Sequence, residues 1–175
     1  MSLYDLPPGP NPPSVLNVVV EIPTGSRNKY EYDPSIDAFR LDRVLYSAVH
    51  YPADYGFIPS SLAGDGDPAD VLLMMTQASF TGCVVDARPV GMLRMEDEMG
   101  QDEKILCVPV ADPQFAGVQE LVHIAPHFLR EVEHFFRIYK DLEGKTVETL
   151  GWEPRGVAER YIAAAIAAAG RAAKR

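Results

Sequence analysis

Three aspartates within six residues are the clearest chemical feature of this sequence. Asp65, Asp67 and Asp70 lie in the segment GDGDPAD, whose two glycines and proline favour a tight turn. Carboxylates this close repel one another unless a cation lies between them, and Mg²⁺ and Ca²⁺ prefer oxygen ligands. An EF-hand is excluded, because Asp70 and Thr76 stand where that loop requires glycine and glutamate. The turn therefore predicts either a site for a hard divalent metal or a solvated acidic loop.

The overall composition limits the partners of such a site. The chain has 175 residues, 47% of them hydrophobic, and a formal net charge of −9. This size suits a single domain, and the acidic balance disfavours general binding of nucleic acid. Cys83 and Cys107 lie in apolar runs without metal-binding spacing, which indicates small core residues in a reducing compartment. With no signal peptide and no apolar run of roughly 18 residues, we expect a cytoplasmic protein without a membrane partner.

The elements that would position the aspartates are mostly short strands. β-Branched and aromatic runs predict strands over 15–22, 29–32, 39–41, 71–75, 84–93, 105–110 and 147–150. The segment 44–58 is predicted to be irregular, and the proline-rich residues 1–14 an extended N-terminal arm.

Helical periodicity appears only after residue 110. Apolar residues three and four positions apart, Leu142 among them, predict a helix that begins at Pro126 and is stopped by Gly144. A second helix is predicted from about Pro154, with Gly170 as its C-cap. The sequence therefore predicts one domain over 1–175 of class α+β, mainly β: a small barrel with two helices packed outside it.

The order of the motifs resembles family I (soluble) inorganic pyrophosphatases. Asp65–Val71 matches the family's D-x-D-P-x-D-V pattern, and Tyr51–Pro59 matches Y-P-x-x-Y-G-F-I-P. Seven shorter matches follow the family's order: EIP at 21–23, KYE at 29–31, DR at 42–43, RPVG at 88–91, DE at 97–98, DEK at 102–104 and YKDL at 139–142. The resemblance implies an OB-like five-stranded barrel and Mg²⁺-dependent hydrolysis of pyrophosphate to two phosphates by a metal-activated water. It also implies three to four Mg²⁺ per active site and a homo-oligomer, typically a hexamer.

The resemblance also assigns roles to individual residues. It gives Asp67 the orientation and deprotonation of the attacking water, with Tyr55 close to this nucleophile. The implied metal ligands are Asp65, Asp70 and Asp102 for the first ion, Asp70 as a bridge to the second, Asp97 and Asp102 for the third, and Glu31 for the fourth. The implied substrate-binding residues are Lys29, Arg43, Tyr139 and Lys140, and the supporting residues are Glu21, Tyr51, Glu98 and Lys104.

The charges of this proposed site predict a need for metal. Seven of its carboxylates face only four cationic side chains, a net charge of −3 that repels an anionic substrate. Two divalent cations reverse the sign.

Two other functions stay open at this point. An OB-like barrel also binds nucleic acid, with Tyr30, Tyr32, Tyr51, Tyr55 and Phe57 as stacking residues. A Ca²⁺-stabilised structural domain explains the carboxylates but gives the basic residues no role. His123 and His127 are four residues apart, and His127 and His134 are seven apart, but neither pair has an evident third zinc ligand. We therefore expect these histidines to serve packing or a subunit interface.

Overall fold

The computed structural model describes residues 2–173, so Met1, Lys174 and Arg175 of the predicted domain lie outside the described residues. Within this range the strands and α-helices follow in the order β1 (Leu16–Ile22), β2 (Asn28–Asp33), β3 (Ala38–Val44), β4 (Asp54–Phe57), β5 (Asp70–Leu73), β6 (Val84–Asp97), β7 (Gly100–Gln101), β8 (Lys104–Pro109), α1 (Pro126–Ile138), β9 (Glu148–Pro154) and α2 (Arg155–Ala172).

Five of these strands close into a ring. β1 pairs with β4, β4 with β5, β5 with β8, β8 with β6, and β6 returns to β1. The β5–β8 pair is parallel, and the other four pairs are antiparallel. β7 and β9 pair with β6 beyond the ring, while β2 and β3 form a separate hairpin. The predicted α+β, mainly β fold, with a five-stranded OB-like barrel and two C-terminal helices, is confirmed.

Successive residues of a barrel strand belong to different apolar clusters. On β5, Leu72 packs in one cluster with Phe135 of α1, whereas Val71 and Leu73 pack in another with Ile162 of α2. This follows from the strand period, because neighbouring side chains point to opposite faces. Each such buried side chain contributes about 1.5–3 kcal/mol, so packing against the barrel holds both helices in place.

The first helix ends earlier than predicted. α1 begins at Pro126 as expected but ends at Ile138, and a short 3₁₀ helix over Asp141–Glu143 follows it. Gly144, with a φ of 72°, caps this 3₁₀ helix rather than α1. Leu142 is 70% exposed, so its place on the apolar face of α1 was wrongly predicted.

The second helix continues beyond Gly170, its predicted C-cap. α2 begins next to Pro154 as expected, but Gly170 lies inside it and the helix continues to Ala172. The prediction that Gly170 ends the helix is therefore wrong. The alanine-rich run around this glycine has high helix propensity and outweighs the cost of about 1 kcal/mol for one glycine.

The segment 44–58 was predicted to be irregular but contains β4. All four residues of this strand are buried, and they pair with β1 on one side and β5 on the other. A Cβ at Gly56 would collide with the carbonyl oxygen of Val19, so glycine is what allows β1 and β4 to approach this closely. Arg43 was expected after the third strand, but it lies within β3 and pairs with Lys29 of β2.

The described part of the proline-rich arm is fastened to the barrel. Leu3–Asp5 forms a 3₁₀ helix, and the backbone N–H of Ser14 closes a turn by donating to the carbonyl oxygen of Asn11 at 2.9 Å, so the predicted extended conformation is wrong at both places. Residues 6–14 contain no helix or strand, as predicted. The backbone N–H of Asn17 donates to the carbonyl oxygen of Pro8 at 2.9 Å, and its side chain donates to that of Pro7 at 2.8 Å. The arm therefore has a defined position beside β1.

The cysteines and histidines depart from two expectations. Cys107 is buried as predicted, whereas Cys83 is only partly buried. The histidines at positions 123, 127 and 134 are exposed, so packing within the fold was wrongly predicted, and a subunit interface stays a prediction. Within residues 2–173, no helix combines the length and the apolar content that a membrane span requires.

Candidate active site

A cleft of about 490 Å³ lies between the barrel, the β2–β3 hairpin and the residues that follow α1. The structure brings together in its lining fourteen of the fifteen predicted site residues: Glu21, Lys29, Glu31, Arg43, Tyr55, Asp65, Asp67, Asp70, Asp97, Glu98, Asp102, Lys104, Tyr139 and Lys140. The remaining one, Tyr51, is buried, and its ring packs 5.4 Å from that of Tyr55 and 4.9 Å from that of Phe135. Tyr51 therefore supports the cleft wall from behind.

The acidic turn between β4 and β5 exposes Asp67 to the cleft. The carboxylate of Asp65 accepts the backbone N–H of Asp67 at 3.0 Å, and the φ of 95° at Gly66 permits this tight conformation. Burial raises the pKa of Asp67, and repulsion from Asp65, Asp70 and Glu31 raises it further. The turn thus holds Asp67 as an exposed carboxylate with a raised pKa.

Lys104, the first residue of β8, lies at the floor of the cleft. Its ammonium donates to Asp70 and Asp102 at 2.6 Å each and to the hydroxyl of Tyr55 at 2.9 Å. Burial by itself lowers the pKa of Lys104, but Asp70, Tyr55 and Asp102 raise it more, and the net result is a pKa well above the usual value. Parallel pairing of β5 with β8 causes this arrangement, because it places Asp70 beside the start of β8.

The β2–β3 hairpin contributes the cationic wall. The Lys29 ammonium contacts the carboxylate of Glu31 on the same strand and lies 3.3 Å from that of Asp42. Asp42 also binds Arg43 at 2.5 Å, and the Nε atom of Arg43 lies 2.9 Å from Glu143 after α1. The contact between Arg43 and Glu143 is an ion pair without hydrogen-bond geometry. Burial disfavours the charged guanidinium, but Glu143 and Asp42 outweigh it and raise the pKa of Arg43.

The opposite wall combines the end of β6 with the residues after α1. The Lys140 ammonium donates to Asp97 at 3.1 Å. Burial raises the pKa of Asp97, but the N–H of Met99 and the Lys140 ammonium lower it more, so the carboxyl stays ionised. Tyr139 is buried, and its ring stacks on Phe135 of α1 at 5.2 Å.

Glu21 is a buried acid at the edge of the cleft. It is 8% exposed, and its carboxylate accepts the backbone N–H of Tyr32 at 2.8 Å. Burial is the main cause that raises its pKa to about 8, although the Tyr32 hydrogen bond acts in the opposite direction. Glu21 therefore links β1 to the hairpin while holding a proton over much of the neutral range.

Several lining residues escaped the sequence reasoning. Asp42 does not line the cleft but contacts Lys29 and Arg43, which do; it was visible in the Asp-Arg motif and was not named as a site residue. Lys145 lies 3.7 Å from Glu98 and adds a fifth cation. Tyr4 and Met99 also line the cleft, and no motif marks either of them.

The donor set suits a hard divalent cation. Eight carboxyl groups and five cationic side chains line the cleft, a formal net charge of −3 that becomes −2 when Glu21 holds its proton. None of the described lining residues is histidine or cysteine. Within residues 2–173, no three acidic, histidine or cysteine side chains are grouped as a formed metal site. Instead, the Lys104 ammonium supplies the positive charge between Asp70 and Asp102. Carboxylate oxygens in excess are the ligands that Mg²⁺ prefers, so the residues fit such an ion chemically.

The closed five-stranded barrel places the chain among OB-like proteins, and both carboxylates and cationic side chains line its cleft. Comparison with known proteins identifies the family within this class. The chain belongs to the inorganic pyrophosphatase family, whose sequence model matches residues 18–169.

Individual relatives agree with this assignment. An inorganic pyrophosphatase of Synechocystis is 53% identical over 153 residues, covering 87% of this chain and 90% of the relative. One from Methanosarcina mazei is 50% identical over 145 residues, covering 83% and 86% of the two chains. The crystal structure of inorganic pyrophosphatase from Thermus thermophilus superimposes with a TM-score of 0.95 at 44% identity, covering 97% of this chain and 99% of that one. Family I pyrophosphatases are metal-dependent enzymes.

Proposed function

We propose that this chain hydrolyses inorganic pyrophosphate to two phosphates by direct attack of water, with Mg²⁺ as its metal. The observation that carries the proposal is the joining, in one cleft, of an excess of carboxylates with Lys29, Arg43 and Lys140. A metal site alone needs the acids, and an anion site alone needs the bases. A substrate that is both anionic and metal-bound needs both.

Five carboxylates would hold the metals. Asp65, Asp70 and Asp102 all line both the cleft and another, smaller pocket. Asp97 and Glu31 stand on the two opposite walls, which fits the three to four ions that the family resemblance implies. When bound, such ions would neutralise part of the substrate's charge and lower the pKa of a coordinated water below the 15.7 of bulk water.

Asp67 is the proton acceptor of the proposal. It is exposed to the cleft, and burial together with its acidic neighbours raises its pKa. A base whose pKa is closer to the working pH takes a proton from water more effectively. The proton would move from the attacking water to the Asp67 carboxylate, while Tyr55, fixed by Lys104, keeps the floor beside it in place.

Lys29, Arg43, Tyr139 and Lys140 would hold the two phosphate groups. Arg43 has its guanidinium fixed between Asp42 and Glu143, which orients the fork for a bidentate contact. Lys29 and Lys140 are held by acids on opposite walls. Negative charge that develops on the leaving phosphate is therefore met from two sides.

The alternatives lose their support in the structure. Of the aromatic residues considered for stacking on bases, Tyr32, Tyr51, Tyr55 and Phe57 are all less than 10% exposed and cannot offer a ring face to nucleic acid. A structural Ca²⁺ domain leaves unexplained why the basic side chains converge on the same cleft.

Assembly and location belong to the same proposal. Homohexamers are implied by the family resemblance, and light scattering after size-exclusion chromatography tests this. We place the protein in the cytoplasm, which agrees with the free thiols of Cys83 and Cys107.

Phosphate release from Mg²⁺-pyrophosphate tests the function. We expect rapid release by the natural sequence and a loss of at least a hundredfold in kcat for Asp67→Asn, with metal affinity retained. Asp86→Asn is the matched control, because Asp86 is exposed and does not line the cleft. Normal turnover by Asp67→Asn at neutral pH would remove Asp67 as the base, and no release by the natural sequence would end the proposal.

A further inference from the structure

The N-terminal arm supplies one side chain to the cleft. Tyr4 lines it together with Glu21, Glu31 and Asp67, although it lies outside residues 18–169, which match the family's sequence model. The residue is half-buried, so one side of its ring packs on the protein and the other faces the cleft.

Hydrogen bonds on both sides fix the position of Tyr4. Its carbonyl oxygen accepts the backbone N–H of Ser60 at 2.8 Å, and the hydroxyl of Ser60 donates to the carbonyl oxygen of Leu6 at 2.8 Å. The N–H of Leu3 donates to the hydroxyl of Tyr32 at 3.0 Å. The backbone of the turn is therefore anchored before, at and after Tyr4.

The Tyr4 ring is fixed as well. It meets the rings of Tyr32 and Phe57 edge to face, with centroids 5.2 and 5.0 Å apart. Such edge-to-face pairs are favourable beyond the area that they bury. The result is a rigid, uncharged wall whose neighbours in the cleft are aromatic rings and the acids Glu21 and Glu31.

We propose that Tyr4 is a specificity-determining residue that closes one side of the cleft to phosphoanhydrides longer than two phosphate groups. The inference rests on the proposed pyrophosphate hydrolysis. A third phosphate extending past Tyr4 would collide with the ring. One extra methylene in an apolar pocket is discriminated roughly 10- to 200-fold, so we expect at least the lower end of this range for a whole phosphate group.

The test compares pyrophosphate with inorganic tripolyphosphate in the presence of Mg²⁺. Tyr4→Ala is expected to raise the ratio of kcat/KM for tripolyphosphate to that for pyrophosphate about tenfold, chiefly through a lower KM for tripolyphosphate. Tyr4→Phe keeps the ring and should leave the ratio within about twofold of the natural value.

Leu6→Ala is the matched control. Leu6 packs in the same aromatic cluster as Tyr4 but does not line the cleft. The Leu6→Ala substitution therefore removes packing from the cluster without removing a side chain that lines the cleft. Tyr4→Leu keeps apolar packing but shortens the side chain, and it should shift the ratio in the same direction as Tyr4→Ala. An unchanged ratio in a folded Tyr4→Leu or Tyr4→Ala protein, or an equal shift in Leu6→Ala, would overturn the proposal. Failure of the natural protein to hydrolyse pyrophosphate would instead refute the proposed function itself.

Discussion

Replacing Lys104 by methionine tests how much the ammonium group of Lys104 stabilises the folded protein through Asp70 and Asp102. The Lys104 side chain is 4% exposed and binds Asp70 and Asp102 at 2.6 Å each, and these acids are 27% and 18% exposed. Removing one partner of a buried ion pair costs 3–5 kcal/mol. Because both carboxylates keep some contact with water, we take about 3 kcal/mol. For a chain of this size that lowers Tm by roughly 6–12 °C in the absence of metal.

Thermal unfolding in EDTA and in Mg²⁺ measures this effect. Lys145→Met is the control, because Lys145 is 48% exposed and lies 3.7 Å from Glu98, a pair worth about 1 kcal/mol at most. Mg²⁺ should raise the Tm of Lys104→Met by more than that of the natural protein, since two carboxylates without a cation bind the metal more tightly. Equal Tm values for the two lysine variants in EDTA would refute the reasoning.

Three further substitutions test other parts of the account. Asp54→Asn should cost about 2–4 kcal/mol in urea unfolding, because the buried carboxylate accepts four hydrogen bonds from Thr24 and Ser79 and an amide nitrogen cannot accept; a cost below about 1 kcal/mol would contradict this. Glu21→Gln should stabilise the metal-free protein by about 4 kcal/mol near pH 8 and have little effect near pH 4.5. The reason is that a folded-state pKa of about 8, above the unfolded value of 4.5, makes the natural protein lose stability as pH rises through that window; parallel stability–pH curves would exclude it. Arg43→Lys should lower kcat/KM for pyrophosphate at least tenfold, because a point charge does not replace the bidentate fork, and unchanged kinetics would argue against that contact.

The sequence was sufficient for the barrel but not for all of its strands. β1, β5 and β8 are β-branched or leucine-rich runs, and each was predicted within two residues of its observed bounds. β4 was missed because Asp54 and Gly56, which disfavour strands, interrupt the strand-favouring Tyr55 and Phe57. Its conformation is imposed by the neighbours with which it pairs, and those partners are distant in the chain.

The C-terminal ends of α1 and α2 were also predicted wrongly. The apolar spacing continues past Ile138 to Leu142, so periodicity alone extended α1, although the chain turns away to present Tyr139 and Lys140 to the cleft. Gly170 has the residue type of a cap, but its alanine-rich surroundings favour continued helix.

For the candidate site, too, the sequence predicted some features and missed others. Motif order predicted which residues gather in the cleft, and fourteen of them line it. It did not predict that Lys104 bridges Asp70 and Asp102, because that contact depends on the parallel pairing of β5 with β8. Nor did it predict Tyr4, whose approach depends on the path of the arm across Ser60.

The central claim is that the acidic cleft needs divalent cations to hydrolyse pyrophosphate. Phosphate release from pyrophosphate, measured before chelation, after exhaustive chelation and after Mg²⁺ is restored, tests it most directly. The formal net charge of −3 in the cleft predicts loss of nearly all activity on chelation and its full return with Mg²⁺. Undiminished phosphate release after exhaustive chelation would contradict the claim.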